Sequence, residues 1–163
     1  MIKLISEELR QVLINQLGHE KTNANIYLFI AAYLKNKGLD HIAAHFEDQH
    51  NEETQHSLII YNLLTDLNAD VLIPEINEIN ISFNTIIDAA NVYLNREIET
   101  TDSLIEIKQL AIDENNGVVE ERMREMIKLQ QNEYEEATSF MDRALLTNGD
   151  WKFVLLWDQS LGD

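Results

Sequence analysis

Cysteine is absent from the 163-residue chain, proline occurs once, at Pro74, and there are only five glycines. Without thiols there is no disulfide framework, no thiolate zinc site and no cysteine nucleophile, so any bound metal must be held by nitrogen and oxygen; the absence also suits a reducing compartment. So little punctuation, with 7% aromatic residues, excludes a turn-rich β sandwich, in which turn signals recur every ~8–12 residues. No uncharged apolar run approaches the length of a membrane span, and the start, MIKLISEELRQ, lacks the apolar stretch of a secretory signal. A cytoplasmic protein is expected. Basic residues are also scarce: Lys+Arg 12 against Asp+Glu 29 gives a net charge of −17. That balance opposes nucleic acid and anionic membranes as partners and favours cations.

What is present is 45% hydrophobic content, enough for one all-α domain over residues 1–163. Ser6 before Glu7 and Glu8 reads as a helix N-cap with acids in the first turn. Gly38, the sequence ENNG at 114–117 and NGD at 148–150 mark breaks. Helices are predicted over about 6–36, 40–66, 83–115 and 118–147, with a short fifth one over about 151–161. Short links make the first and second, and the third and fourth, helices into antiparallel hairpins. The long segment LNADVLIPEINEINIS carries the chain the length of the bundle between the hairpins. The expected fold is a four-helix bundle with one crossover and a small fifth element.

Each long segment bears a stripe at alternating spacings of four and three, the signature of a bundle core. The first gives Leu13, Leu17, Glu20, Ala24, Tyr27, Ala31 and Leu34; the second Ile42, Phe46, Gln49, Glu53, His56, Ile60, Leu63 and Leu67. The third gives Phe83, Ile87, Ala90, Leu94, Glu97, Thr101 and Leu104, and the fourth Val119, Met123, Met126, Gln130, Glu133, Ala137, Phe140 and Ala144. Every stripe is interrupted by polar groups within about one turn of its helix's midpoint, so in a bundle the interruptions share one level. Glu20, Glu53, His56, Glu97, Gln130 and Glu133 then converge in the core.

A buried, unpaired carboxylate costs several kcal/mol, and no lysine or arginine occupies these stripe positions. Metal cations are the natural counter-charge, and four carboxylates balance two divalent ions. A hard, oxygen-rich set with one imidazole suits iron or manganese, with zinc able to compete. In NEETQHSLII, residues 51–60, both Glu52 and Glu53 can share a face with His56; the stripe from Ile42 to Leu67 assigns Glu53 to the core and turns Glu52 to the flank. The zinc-protease motif His-Glu-x-x-His is absent, as are a Gly-rich phosphate loop, a serine elbow and any Cys-His pairing.

These residues resemble the ferritin-like carboxylate bundles, in which two helices each give a Glu and two give Glu-x-x-His. Glu20 and Glu97 look like the single glutamates and ETQH, Glu53 to His56, like the second-helix motif. QQNE supplies Gln130-x-x-Glu133 in place of the second Glu-x-x-His, which resembles the bacterial non-haem ferritins. Tyr27 matches the family's tyrosine beside the di-iron site, and DQSLG at 158–162 resembles the end of its fifth helix. Thr54 stands where bacterioferritin has its haem methionine, so no haem is expected.

The resemblance implies that Glu20, Glu53 and His56 bind one iron, that Glu53 bridges to a second completed by Glu97 and Glu133, and that Gln130 lies near the oxygen-binding side. It implies a ferroxidase: a di-iron Fe2+/Fe3+ centre oxidising Fe(II) with O2 or H2O2, and ferric mineral stored in a hollow homo-oligomer, typically of 24 subunits. A third iron site of bacterial members draws on second- and fourth-helix glutamates. Glu52 is available for it, whereas the corresponding fourth-helix positions are Leu129 and Asn132. Where the family has a tryptophan before the fourth-helix motif, this chain has Glu125. The rival readings are a di-iron oxidase or peroxidase acting on another substrate without iron storage, and a metal-buffering bundle without redox turnover.

Overall fold

The computed structural model describes residues 2–163. Its helices are α1 (Glu7–Lys35), α2 (Asp40–Asp66), α3 (Ile86–Asp113), α4 (Gly117–Leu146) and α5 (Trp151–Leu161). α1 packs along α2 and α3 along α4, with α1 also against α3 and α5 against α2. Among the described residues there is no strand, and no helix is long and apolar enough to cross a membrane. The expected four-helix bundle with a crossover between α2 and α3 and a short fifth helix is the fold observed.

Local chemistry sets the boundaries. The Ser6 hydroxyl accepts from Leu9 N at 3.0 Å and starts α1; after Lys35, Gly38 takes φ +77 and turns the chain into α2. α3 begins at Ile86, three residues after the start the spacing predicts. The cause is a capping box: the Asp88 carboxylate accepts from Asn84 N (2.6 Å) and Thr85 N (3.1 Å), and the Thr85 hydroxyl accepts from Ile87 N (3.2 Å). Thr85 is thereby held extended, at φ −134. α2 has no such cap of its own, since Leu39 precedes it. Asp158, on α5, supplies one by accepting from Ile42 N at 2.7 Å.

The crossover, residues 67–85, runs back along α1. Pro74 lies against Gly18, where a Cβ would come within 3.2 Å of the proline ring. Arg10 Nε donates to Asp70 O at 2.6 Å, and Tyr33 OH donates to Phe83 O at 3.2 Å.

The apolar interior falls into two separate clusters. One, toward the α1–α2 turn, contains Tyr27, Ile30, Leu34, Phe46, Tyr93 and Phe140; the other, toward the opposite end, contains Leu9, Leu13, Leu17, Ile60, Leu63, Leu104 and Met123. Between them lies a buried polar layer: Gln16, Glu20, Asn23, Gln49, Glu53, His56, Glu97, Thr100, Gln130 and Glu133. Two greasy halves exclude water from this layer, which sharpens every electrostatic interaction within it.

Candidate metal centre

Each helix delivers its polar residues to this layer because their neighbours at four- and three-residue spacing are committed to the core. Glu20, Glu53 and Glu97 have no accessible surface, Gln130 retains 2%, Glu133 7% and His56 8%. Ligand-capable atoms of Glu20, Glu53 and His56 all lie within 4.8 Å of one another, and so do those of Glu53, Glu97 and Glu133. Glu53 belongs to both groups.

Hydrogen bonding distinguishes the carboxylates. Tyr27 OH donates to Glu97 Oε1 at 2.5 Å and Gln130 Nε2 to Glu97 Oε2 at 2.5 Å, so both of its oxygens are engaged. Gln16 Nε2 donates to Glu20 Oε1 at 3.0 Å. Four further oxygens, Glu20 Oε2, both of Glu53 and Glu133 Oε2, are buried with no partner. His56 Nδ1 stands 3.6 Å from Glu53 Oε2. Buried polar atoms are nearly always satisfied, and four orphaned carboxylate oxygens at one level is the pattern that cations complete.

The proton affinities reflect the same crowding. Burial pushes the Glu53 carboxyl up to about 8, with Glu97 and Glu133 adding to the rise. Burial also pushes Glu133 to about 10, helped by Glu52. Glu20 is raised well above the ordinary value by burial and then by Glu53. Glu97 is raised by burial, against which the Tyr27 and Gln130 donors work. Burial, with Glu97 adding to it, keeps the Tyr27 phenol protonated as a donor. A carboxyl that holds a proton at neutral pH gives it up to a divalent ion that offers more charge in the same place.

The other histidines face elsewhere. His19 lies beside α3, where burial and then Arg96 lower its pKa to about 4. Its neutral ring meets Arg96 through Nδ1 (3.0 Å) and Thr100 through Nε2 (2.7 Å). His50 Nδ1 pairs with Ala24 O at 2.7 Å. His45 stacks on Phe140, with centroids 5.7 Å apart.

A third group of ligand-capable atoms joins Glu52, Glu133 and Glu136 within 4.8 Å. Leu129 and Asn132, the fourth-helix positions considered from the sequence, are exposed instead. Glu136 is about one turn beyond Glu133, exposed and outside the fourth stripe. Gln16 was also missed, although its position four residues before Glu20 puts it on the same face.

The family model described as a ferritin-like domain matches residues 10–146. Ferritin BfrB of Mycolicibacterium smegmatis is 29% identical over 133 residues, 80% of this chain and 74% of the relative. The bacterial non-heme ferritin of Staphylococcus aureus is 28% identical over 108 residues, 66% of this chain and 65% of the relative. Among solved structures, an open pore ferritin from the hyperthermophilic archaeon Archaeoglobus fulgidus superposes with TM-score 0.92 at 21% identity, over 98% of both chains. A structure described as a humanized archaeal ferritin gives TM-score 0.90 at 20% identity, over 96% of this chain and 95% of the other. The structural likeness shows the fold, and the family match shows descent: this chain belongs to the ferritin family.

Proposed function

We propose that the chain is the subunit of an iron-storage ferritin that oxidises Fe(II) at a two-ion centre inside its own bundle and keeps ferric oxide within a hollow homo-oligomer, on the family pattern of 24 subunits. The observation that carries this reading is the sharing of Glu53 by two three-residue groups whose free oxygens have no hydrogen-bond partner. Iron is the substrate. Glu20, Glu53 and His56 would hold one Fe(II), and Glu53, Glu97 and Glu133 the other, with Gln130 fixing Glu97. Each Fe(II) gives up one electron; dioxygen takes both and, with two protons, leaves as hydrogen peroxide. If peroxide is the oxidant, the same two electrons and two protons yield two waters.

The protein's own contribution is charge and position. Four carboxylates neutralise two Fe(II) and stabilise the Fe(III) that follows more strongly, and the apolar clusters on either side keep bulk water out. Protons displaced from raised carboxyls on metal entry are available at the site. The outlying group of Glu52, Glu133 and Glu136 shares Glu133 with the centre and faces solvent through Glu136, a staging position for ions moving in or out.

An oxidase acting on an organic substrate needs a cavity opening on the metal ligands. A cavity of about 830 Å³ beside α2, α4 and α5 and one of about 510 Å³ between α1 and α3 include none of the six residues Glu20, Glu53, His56, Glu97, Gln130 and Glu133 in their walls. Apolar side chains left on the surface, with Leu146 85%, Leu72 62%, Leu156 60% and Phe153 55% exposed, support burial between copies of the chain. The test is aerobic addition of Fe(II) in large excess over chains, followed by size separation. Iron co-eluting with a particle far larger than one chain is expected; iron precipitating while the protein runs as monomer or dimer would refute storage.

A further inference from the structure

We infer that Gln16 is a positioning residue for the centre: held by Ser103, it fixes the orientation of the Glu20 carboxylate and leaves Oε2 as its unpartnered oxygen for metal. The inference rests on the two-ion reading above and goes beyond it to a residue outside the ligand set. Gln16 is 3% exposed, one turn before Glu20 on α1. Its amide nitrogen donates to Glu20 Oε1 at 3.0 Å, and its amide oxygen accepts from the Ser103 hydroxyl at 2.6 Å. The Ser103 hydroxyl has one proton, and the shorter contact, 2.6 Å to the Gln16 oxygen against 3.1 Å to Thr100 O, gives it to Gln16; α3 thereby orients the Gln16 amide and α1 carries the result to Glu20. Turning the amide over would set its oxygen against the ionised Glu20 carboxylate and send the Ser103 proton to Thr100 O instead.

The consequence is an asymmetry among the ligands. Glu20 has one engaged oxygen and one orphan, Glu53 has two orphans, and both oxygens of Glu97 are engaged. Glu53 is thus free to bridge, while Glu20 is held by Gln16 with Oε2 as its unpartnered oxygen; the hydrogen-bonded oxygens of Glu97 each keep a lone pair for their own ion. Partners of metal ligands act in this way by fixing orientation, and their loss typically costs 10–100-fold in metal affinity. Gln16 also forms part of the wall of the 510 Å³ cavity, with Ser103, Asn15, His19 and Glu106, so a change there has room to be accommodated without repacking the bundle.

The test uses Co(II) as the probe under anaerobic conditions, with wild-type protein, Gln16→Met and Ser103→Ala. Affinity for each ion is read by titration, coordination by the visible spectrum, and folding by thermal melting. Gln16→Met is expected to bind the ion at Glu20 and His56 about tenfold more weakly, with an altered visible band, while the ion at Glu97 and Glu133 is unaffected. Ser103→Ala leaves Gln16 in place and is expected to move the same ion's affinity and spectrum in the same direction, by less, with melting close to wild type. Wild-type affinity and spectrum in either variant would overturn the inference and leave the two-ion centre standing. Failure of the wild-type protein to take up two Co(II) would overturn both.

Discussion

The hydroxyl of Tyr27 on α1 donates to the Glu97 carboxylate on α3 across 2.5 Å, with both residues fully buried. That bond ties the apolar cluster toward the α1–α2 turn to the polar layer, because the same tyrosine ring packs edge-on against Tyr93 at 5.2 Å. Tyr27→Phe removes the donor and leaves Glu97 Oε1 unsatisfied in the metal-free protein. The expected cost is about 1–3 kcal/mol of stability, measured by urea unfolding. Saturating divalent metal is expected to recover part of it by engaging the freed oxygen.

The raised carboxyls fix how stability depends on pH. Glu53 and Glu133 move from an ordinary value of 4.5 to about 8 and about 10 on folding, so between those values the folded chain binds more protons than the unfolded one. Their contribution is present in full below about pH 4.5 and is lost as pH rises through about 8 and then about 10. The metal-free protein is expected to melt at progressively lower temperature across this window. Glu53→Gln should flatten the slope, and saturation with Zn(II) should largely abolish it. Melting scans at fixed ionic strength check all three.

α5 is held to the bundle by Asp158, which accepts from Ile42 N at the start of α2. Asp158→Ala removes the only side-chain cap on that helix end among the described residues, at a cost of about 1–2 kcal/mol. Asp158→Asn keeps an accepting oxygen and is expected to lose less. Hydrogen exchange of the α2 first turn and of α5, together with Trp157 fluorescence, reads the loosening directly.

Every residue of the first, second and fourth stripes is buried, and the buried faces are wider, adding Ile14, Gln16, Asn23, Ile26 and Ile30 on α1, Ala43, Ser57 and Leu64 on α2 and Met141 on α4. The third slips. α3 buries Ile86, Ala90, Tyr93, Glu97, Thr100, Leu104 and Ile107, whereas the spacing also enlisted Phe83, Ile87, Leu94 and Thr101. The apolar residues of α3 are dense enough to support two neighbouring faces, and the stripes agree only at Ala90, Glu97 and Leu104. Glu97 lies where the two readings cross, which is why the slip did not displace it. Periodicity reports which residues face inward, but it carries no information about which polar side chains meet. Ser103 and Glu136 became visible only once α1 was set against α3 and α2 against α4, whereas Gln16 was already marked by its four-residue spacing to Glu20.

Comparison of Glu53→Ala with its neighbour Glu52→Ala tests most directly whether Glu53 is the carboxylate common to both ions. Stopped-flow oxidation of Fe(II) under air, with helical content monitored in parallel, is the measurement. Loss of rapid oxidation in Glu53→Ala, with the fold retained and Glu52→Ala still oxidising quickly, is the predicted result. Rapid oxidation surviving in Glu53→Ala, or a greater loss in Glu52→Ala, would contradict the account.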